Sequence, residues 1–319
     1  MSRQVTFHKS TYPDTVENKI KDSISKYRLP ASLLYESVGQ ASRWLNYARA
    51  WSPVHRDKEI NQLYNSLYQS VLSELDGEAF HYLSFGCGDG LKDESFLQLA
   101  KARKSGPEVT LMDVSPALIL RAAQRLNAWN PRLLVVDLES KPGLPECGEQ
   151  ICDHKCLISC LGMLPTLGHK QLLPYLSSVL SEKDQLILSA NLSPTETDED
   201  KANIKLQYDN PEAHAWYAGV LLELGLQRTD FMLGCRLESL QELTGAYRIV
   251  VHARMLRKLE LPVCGETYLL EAEEQLEVFR SERWTPAALR NRLKELGLNM
   301  AHAMESDDCQ EGVYCIVKG

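Results

Sequence analysis

The stretch 83-LSFGCGDG-90, followed at 109-VTLMDVSPALILRAAQRL-126 by a second apolar run that ends in an acid, decides how this chain is read. Leu83, Ser84 and Phe85 run directly into Gly86 and Gly88. Without side chains at those positions the backbone turns sharply and lets a ligand approach closely. Asp113 closes the next apolar run, where a carboxylate accepts hydrogen bonds from both hydroxyls of a ribose. A GxG turn by itself is common on surfaces. The strand before it and the acid-terminated strand after it together point to a nucleotide-bearing cofactor.

The glycines fall at 86, 88 and 90, so the third is misplaced for the helix packing that a GxGxxG dinucleotide fingerprint provides. An S-adenosylmethionine (SAM) site needs no pyrophosphate cradle. It needs backbone room for the amino-acid end, a ribose acceptor and a wall for adenine. Gly86, Cys87 and Gly88 would supply the first, Asp113 with Val114 the second, and Asp137 with Leu138 the third. Leu161 and Gly162, in 161-LGMLPTLG-168, follow a strand at the edge where open α/β sheets form ligand sites.

Outward from this stretch runs a βα rhythm. Strands are expected at 80–85, 109–114, 132–136, 155–161 and 184–190, with helices at 117–129 and 169–180. This alternation predicts a mostly parallel sheet covered on both faces. Upstream, 58-KEINQLYNSLYQSVLSEL-75 carries Ile60, Leu63, Tyr64, Leu67, Val71, Leu72 and Leu75 on a helical stripe. The aromatic text of 31-ASLLYESVGQASRWLNYARAW-51 suits a wall or lid of a pocket, or plain packing.

Turn formers and acids at 191–216 break the rhythm; helical text resumes at 217–226 and strands are expected at 246–255 and 267–281. Thr285 caps a helix to 298 with Pro286 in its first turn, and 313-VYCIV-317 reads as a closing strand. The expected organisation is a helical region over 1–78 as a pocket cover, an α/β Rossmann-like core over 79–190 and 277–319, and a smaller inserted α+β substrate lobe over 191–276.

A length of 319 residues allows a substantial core. The net charge of −8 argues against nucleic acid as a partner. The N-terminal text lacks the apolar core of a signal peptide and no segment has the length of a membrane span, so a cytoplasmic protein without a membrane partner is expected. Nine cysteines, at 87, 147, 152, 156, 160, 235, 264, 309 and 315, form no compact disulfide pattern. Cys156 and Cys160 read as strand core and no metal site is expected. Cys87 lies inside the turn, where spacing alone does not activate a thiol. His154, His169, His214 and His252 are dispersed, and no Ser-His-Asp arrangement is legible.

Five segments, 83-LSFGCGDGLKD-93, 110-TLMDVSPALILRAAQRL-126, 160-CLGMLPTLG-168, 206-LQYDNPEAHAWYAGVLLELG-225 and 277-EVFRSERWTPAALRNRLKELGL-298, carry a resemblance. In their order they resemble the histidine-specific, SAM-dependent methyltransferases of ergothioneine biosynthesis, the EgtD-like family, from about residue 80 onward. The resemblance implies a Rossmann-like domain and a smaller lobe that closes the amino-acid substrate between them. It implies that Gly86, Gly88 and Asp113 hold SAM and that Tyr208 lies in the substrate pocket.

Three positions depart from the family pattern. Pro165 stands near a substrate-holding asparagine, Val251 at a methionine position, and Phe279 in place of the glutamate of a Glu-x-Ser-x-Lys-aromatic segment that Ser281, Arg283 and Trp284 otherwise fit. Phenyl for carboxylate removes a charge and its acceptors and adds apolar surface. The expected reaction is methyl transfer from SAM to a small-molecule amine or amino acid other than free histidine, with Tyr208 and Ser281 positioning the acceptor. The alternatives are an NAD-dependent oxidoreductase and an inactive SAM-binding accessory protein. A monomer or homodimer is expected.

Overall fold

The computed structural model describes residues 4–75, 77–103, 106–144, 155–193 and 197–319. Its strands are β1 Val5–Phe7, β2 Phe80–Phe85, β3 Glu108–Asp113, β4 Arg132–Val135, β5 Lys155–Cys160 and β6 Gln185–Asn191. They continue with β7 Phe231–Ser239, β8 Ala246–Met255, β9 Leu259–Val263, β10 Glu266–Leu270, β11 Gln275–Trp284, β12 Leu298–Glu305 and β13 Glu311–Lys318.

Eight of these form one sheet in the order β1-β4-β3-β2-β5-β6-β13-β12. Neighbours from β1 to β6 pair in parallel, as in Leu83 opposite Thr110 and Ile158. β13 runs antiparallel between β6 and β12. This is a Rossmann-like α/β fold whose parallel sheet is extended at one edge by an antiparallel pair. The strand order reverses at β2, whose two partners are β3 and β5, so the turn after β2 opens at the crevice where such sheets bind ligands.

The apolar runs read as strands are buried on both faces, which is why they lack alternation: β2 is buried at all six positions. Helix Lys58–Leu75 buries Ile60, Tyr64, Leu67, Val71, Leu72 and Leu75 against one face. Helix His169–Val179 and helix Pro286–Glu295 cover the other, around Leu173, Leu176 and Leu289. The Thr285 hydroxyl caps the latter by accepting from Ala288 N, with Pro286 at its first position.

A second body follows β6. Helices Asp198–Leu206 and Pro211–Glu223 lead into the antiparallel sheet β7-β8-β11 and the β9-β10 hairpin. Three expectations change here. The turn-rich text of 191–216 contains helix 198–206, and the next helix starts at Pro211, capped by Asn210. The single strand expected over 267–281 is two, because Glu273 adopts φ 71° and the Glu274 carboxylate accepts from Glu271 N, closing a turn between β10 and β11. β11 pairs with β8 through Trp284, so residues 277–284 bond within the small sheet. The region upstream of 78 divides as well. β1 joins the main sheet, while Ile20, Ile24, Leu29 and Leu34 enter the core of the second body beside Trp216 and Phe279.

Candidate functional site

A cavity of about 280 Å³ opens where the C-terminal ends of β2, β3, β4, β5 and β6 face the small sheet and helix Val38–Trp51. Gly86 and Gly88 sit in its floor with φ of 70° and 54°. The N–H groups of Gly86 and Cys87 both donate to Met112 O, at 2.9 and 3.0 Å, which ties the turn to the end of β3. A Cβ on Gly86 would meet Met163 Sδ at 2.2 Å, and one on Gly88 the Trp44 ring at 3.0 Å. Gly90 begins helix Leu91–Ala102, and a Cβ there would meet Ala122 at 3.0 Å, so this third glycine admits a neighbouring helix.

Asp113 is almost fully buried. Its Oδ2 accepts from Gly88 N and its Oδ1 from Ser115 N, both at 2.9 Å. Burial pushes its carboxyl up to about 6, against the pull of the N–H groups of Ser115, Gly88 and Val114. Each oxygen keeps a lone-pair direction beyond its backbone donor. The glycine cradle and this carboxylate therefore fit the sugar and amino-acid ends of SAM. Asp137 does two things: it lines the cavity, and its Oδ1 accepts from Glu139 N at 3.0 Å while Oδ2 pairs with Lys19. Leu138 is buried beside it and Val114 lies on the same wall. Leu161 and Gly162 follow β5, and Gly162 N donates to Ser189 Oγ at 2.8 Å. The Cys87 thiol is buried, and burial, with Asp113, Asp93 and Asp89 around it, pushes its pKa well up, which leaves it protonated and unreactive.

The opposite end of the cavity is aromatic. Tyr208 OH and Ser281 Oγ lie 2.8 Å apart, and Asn191 Nδ2 donates to both, at 3.1 and 3.3 Å. One hydroxyl proton serves the Tyr208–Ser281 contact, and the other is free for a ligand. Phe279 stacks on Tyr208 and Tyr217, with centroids at 6.1 and 5.3 Å, and packs on Trp216 at 5.2 Å. Tyr47 stacks on Trp216 at 5.3 Å, Tyr35 meets it edge-on at 5.5 Å, and Trp216 Nε1 donates to Leu34 O. The shift in β11 register between Glu277 and Phe279 sets Phe279, Ser281 and Arg283 in alternation along the cavity wall.

All the residues expected at the site, from Gly86 to Ser281, line this one cavity, as do Pro165 and Phe279. Val251 does not; it is the cross-strand partner of Phe279 and belongs to the core behind it. Asn191 was not legible beforehand, its only signal being its place at the end of a buried strand. Tyr35, Trp44, Tyr47 and Trp51, from the aromatic text read as a pocket wall or as plain packing, line the cavity. Lys92, Asp93 and Glu311 form a buried charged wall, where burial lowers the Lys92 ammonium and raises both carboxyls. His169 is bound to Glu282, Nδ1 to Oε1 at 3.0 Å, and His252 lies 3.1 Å from Arg236 Nη1. Cys147, Cys152 and His154 lie outside the described residues. Among the described residues the cysteines are free, no group of side chains suits a metal, and no helix is long and apolar enough to cross a membrane.

No protein-family model and no curated protein matches this chain. Solved structures of similar shape include the magnesium protoporphyrin IX methyltransferase of Synechocystis PCC 6803 with bound SAH, at 15% identity and TM-score 0.46, covering 90% of this chain and 96% of that one. The CcbJ methyltransferase of Streptomyces caelestis is similar at 13% identity and TM-score 0.42, over 81% and 94%. A TehB-like SAM-dependent methyltransferase of Corynebacterium glutamicum is similar at 13% identity and TM-score 0.42, over 89% and 100%. The fold assignment rests on the strand order and pairing of this chain.

Proposed function

We propose that this chain is a SAM-dependent methyltransferase for a small aromatic amine or amino acid other than free histidine. One observation carries the reading: the glycine turn and Asp113 face the same cavity as Tyr208, Ser281 and Phe279, although the segments are far apart in sequence. Asp113 would hold the ribose hydroxyls, Gly86, Cys87 and Gly88 the amino-acid end, and Asp137 with Leu138 the adenine side, near Val114, Leu161 and Gly162. Bound there, SAM supplies an electrophilic methyl group on a sulfonium.

The chain's own residues do the rest by position. Tyr208 and Ser281, held by Asn191, fix the polar atom of the acceptor. Phe279, Trp216, Tyr47 and Tyr35 exclude water and take an apolar ring. An ammonium acceptor loses a proton to water before it presents its lone pair, and the Tyr208–Ser281 hydroxyl pair relays that proton, and any released after transfer, to solvent. The missing carboxylate at Phe279 removes the acceptor that an imidazole N–H would use, which favours a ring without such a donor. In this reading the resemblance to the EgtD-like family is one of scaffold, with a changed acceptor.

Calorimetric titration with SAM and with S-adenosylhomocysteine tests the cofactor; binding of neither overturns it. A labelled-methyl assay over free amino acids, amines and a small-metabolite extract tests the reaction. Rapid transfer to histidine would sink the reading of Phe279. Phe279→Glu is expected to move selectivity toward polar acceptors, and unchanged selectivity would remove that role.

A further inference from the structure

Phe279, Ser281 and Arg283 occupy one face of β11, and the third of them is not used by the mechanism above. Arg283 is 2% exposed. Its Nη1 donates to Leu192 O at 2.7 Å and to Gln310 Oε1 at 3.1 Å, and its Nη2 to Gln207 Oε1. All three acceptors are neutral. Nε is buried with no partner, and no ion pair to Arg283 exists among the described residues.

The nearby acids are committed elsewhere. Glu282, on the opposite face of β11, accepts from His169 N at 2.8 Å. Glu311 feels the charge of Arg283, but its Oε1 takes the Tyr64 hydroxyl, and Lys92 is its stronger electrostatic partner. A guanidinium held out of water without a counter-ion is costly, and an empty buried donor adds to that cost. Gln207 and Gln310 bond to each other at 3.1 Å, a neutral cradle that orients the fork without neutralising it.

We propose that Arg283 is the anion-binding residue of the acceptor site, and that the acceptor is an aromatic molecule carrying a carboxylate. The ring lies against Phe279, the methylated atom beside Tyr208 and Ser281, and the carboxylate on Arg283. The Tyr208 ring bridges these points: its centroid is 6.1 Å from that of Phe279 and 5.7 Å from the Arg283 guanidinium carbon. A single aryl ring with a short acidic side chain spans this set. A side-on carboxylate would fill Nε and displace the Gln207 amide oxygen, replacing neutral contacts with charge-assisted ones. The assignment rests on the reading that this end of the cavity takes the acceptor.

Two pairs of probes that differ only by a carboxylate test it: phenylalanine with phenethylamine, and phenylglycine with benzylamine. Each is titrated calorimetrically into the full chain saturated with S-adenosylhomocysteine, and again into cofactor-free protein. At least one acid is expected to bind tenfold or more tightly than its amine twin, the size of one strong charge-assisted contact. Arg283→Gln is expected to bring that ratio close to one while SAM affinity stays unchanged. Equal or tighter binding of both amines, binding of no probe, or an undiminished ratio in Arg283→Gln would each overturn the proposal. A merely structural Arg283 would lower stability and leave the ratio intact. The wild-type comparison needs no variant, so a variant that fails to fold does not shield the idea. Loss of SAM binding in wild type would overturn the cofactor reading alone, because the ratio in cofactor-free protein still decides the role of Arg283.

Discussion

The glycine-turn end of the cavity uses the tails of consecutive strands: Gly86 to Gly88 after β2, Asp113 and Val114 at the end of β3, Asp137 and Leu138 after β4, Leu161 and Gly162 after β5. The aromatic end draws Tyr35 and Tyr47 from between β1 and β2, Trp216 from a helix after β6, and Phe279 and Ser281 from β11. One end is backbone and carboxylate, held by N–H groups that no substitution can supply. The other is a stack of rings whose members can be exchanged while the strands stay in place. If the two ends take cofactor and acceptor as proposed, the difference teaches that cofactor recognition is bound to the fold, whereas acceptor recognition hangs on a few side chains mounted upon it.

The largest effect that separates the ends is expected from Phe279→Ala. Phe279 is 7% exposed and packed among Tyr208, Trp216 and Tyr217. Its truncation should cost about 3–5 kcal/mol of stability in denaturant unfolding while SAM affinity of the folded protein holds. A parallel loss of SAM affinity would join the two ends and break the comparison.

Next is Asp113→Ala, which removes the anchor of Gly88 N and, in the proposed reading, both contacts to the ribose hydroxyls. SAM affinity is expected to fall about a hundredfold by calorimetry, with ligand binding at the aromatic end kept. A loss under threefold would remove Asp113 from the ribose site.

Acidity sharpens the same contrast with a smaller effect. The Asp113 carboxyl is raised to about 6 in the fold, so it protonates as pH falls through that value. SAM affinity is expected to drop roughly tenfold between pH 8 and pH 5, a drop missing from Asp113→Asn. The sign for stability is opposite. A carboxyl raised above its unfolded pKa favours the folded state at low pH, and that contribution is lost as pH rises toward 6.

The smallest change is expected from Asn191→Ala. It removes the donor shared by Tyr208 and Ser281, and acceptor affinity should weaken about fivefold, the size of a neutral hydrogen bond, with SAM affinity constant. An unchanged acceptor affinity would leave the hydroxyl pair without its third member.

Much of the fold was legible because its strands are short, buried on both faces and separated by helices with apolar stripes. The lobe and the edge of the main sheet were harder to read. β7, with its mixed burial, and the edge strand β12, alternately half-buried and exposed, offer little apolar contrast. β9 was hidden because only the Cys264–Gly265 turn, with φ of 52° and 77°, marks its hairpin. Asp137 illustrates an ambiguity that text cannot resolve, since capping a turn and lining a cavity use the same residue here.

By itself the sequence determined strands β2 to β6 and β13 of the sheet, the turn after β2 and the acid that closes β3, since each is a local matter of backbone freedom and apolar run length. Only the tertiary structure decided that Trp44 lies on Gly88, that Val251 stands behind Phe279 and outside the cavity, and that Arg283 reaches the cavity wall without a counter-ion among the described residues. Those facts depend on how segments tens of residues apart pack together. Packing is set by shape and burial over the whole chain, and no local pattern carries it.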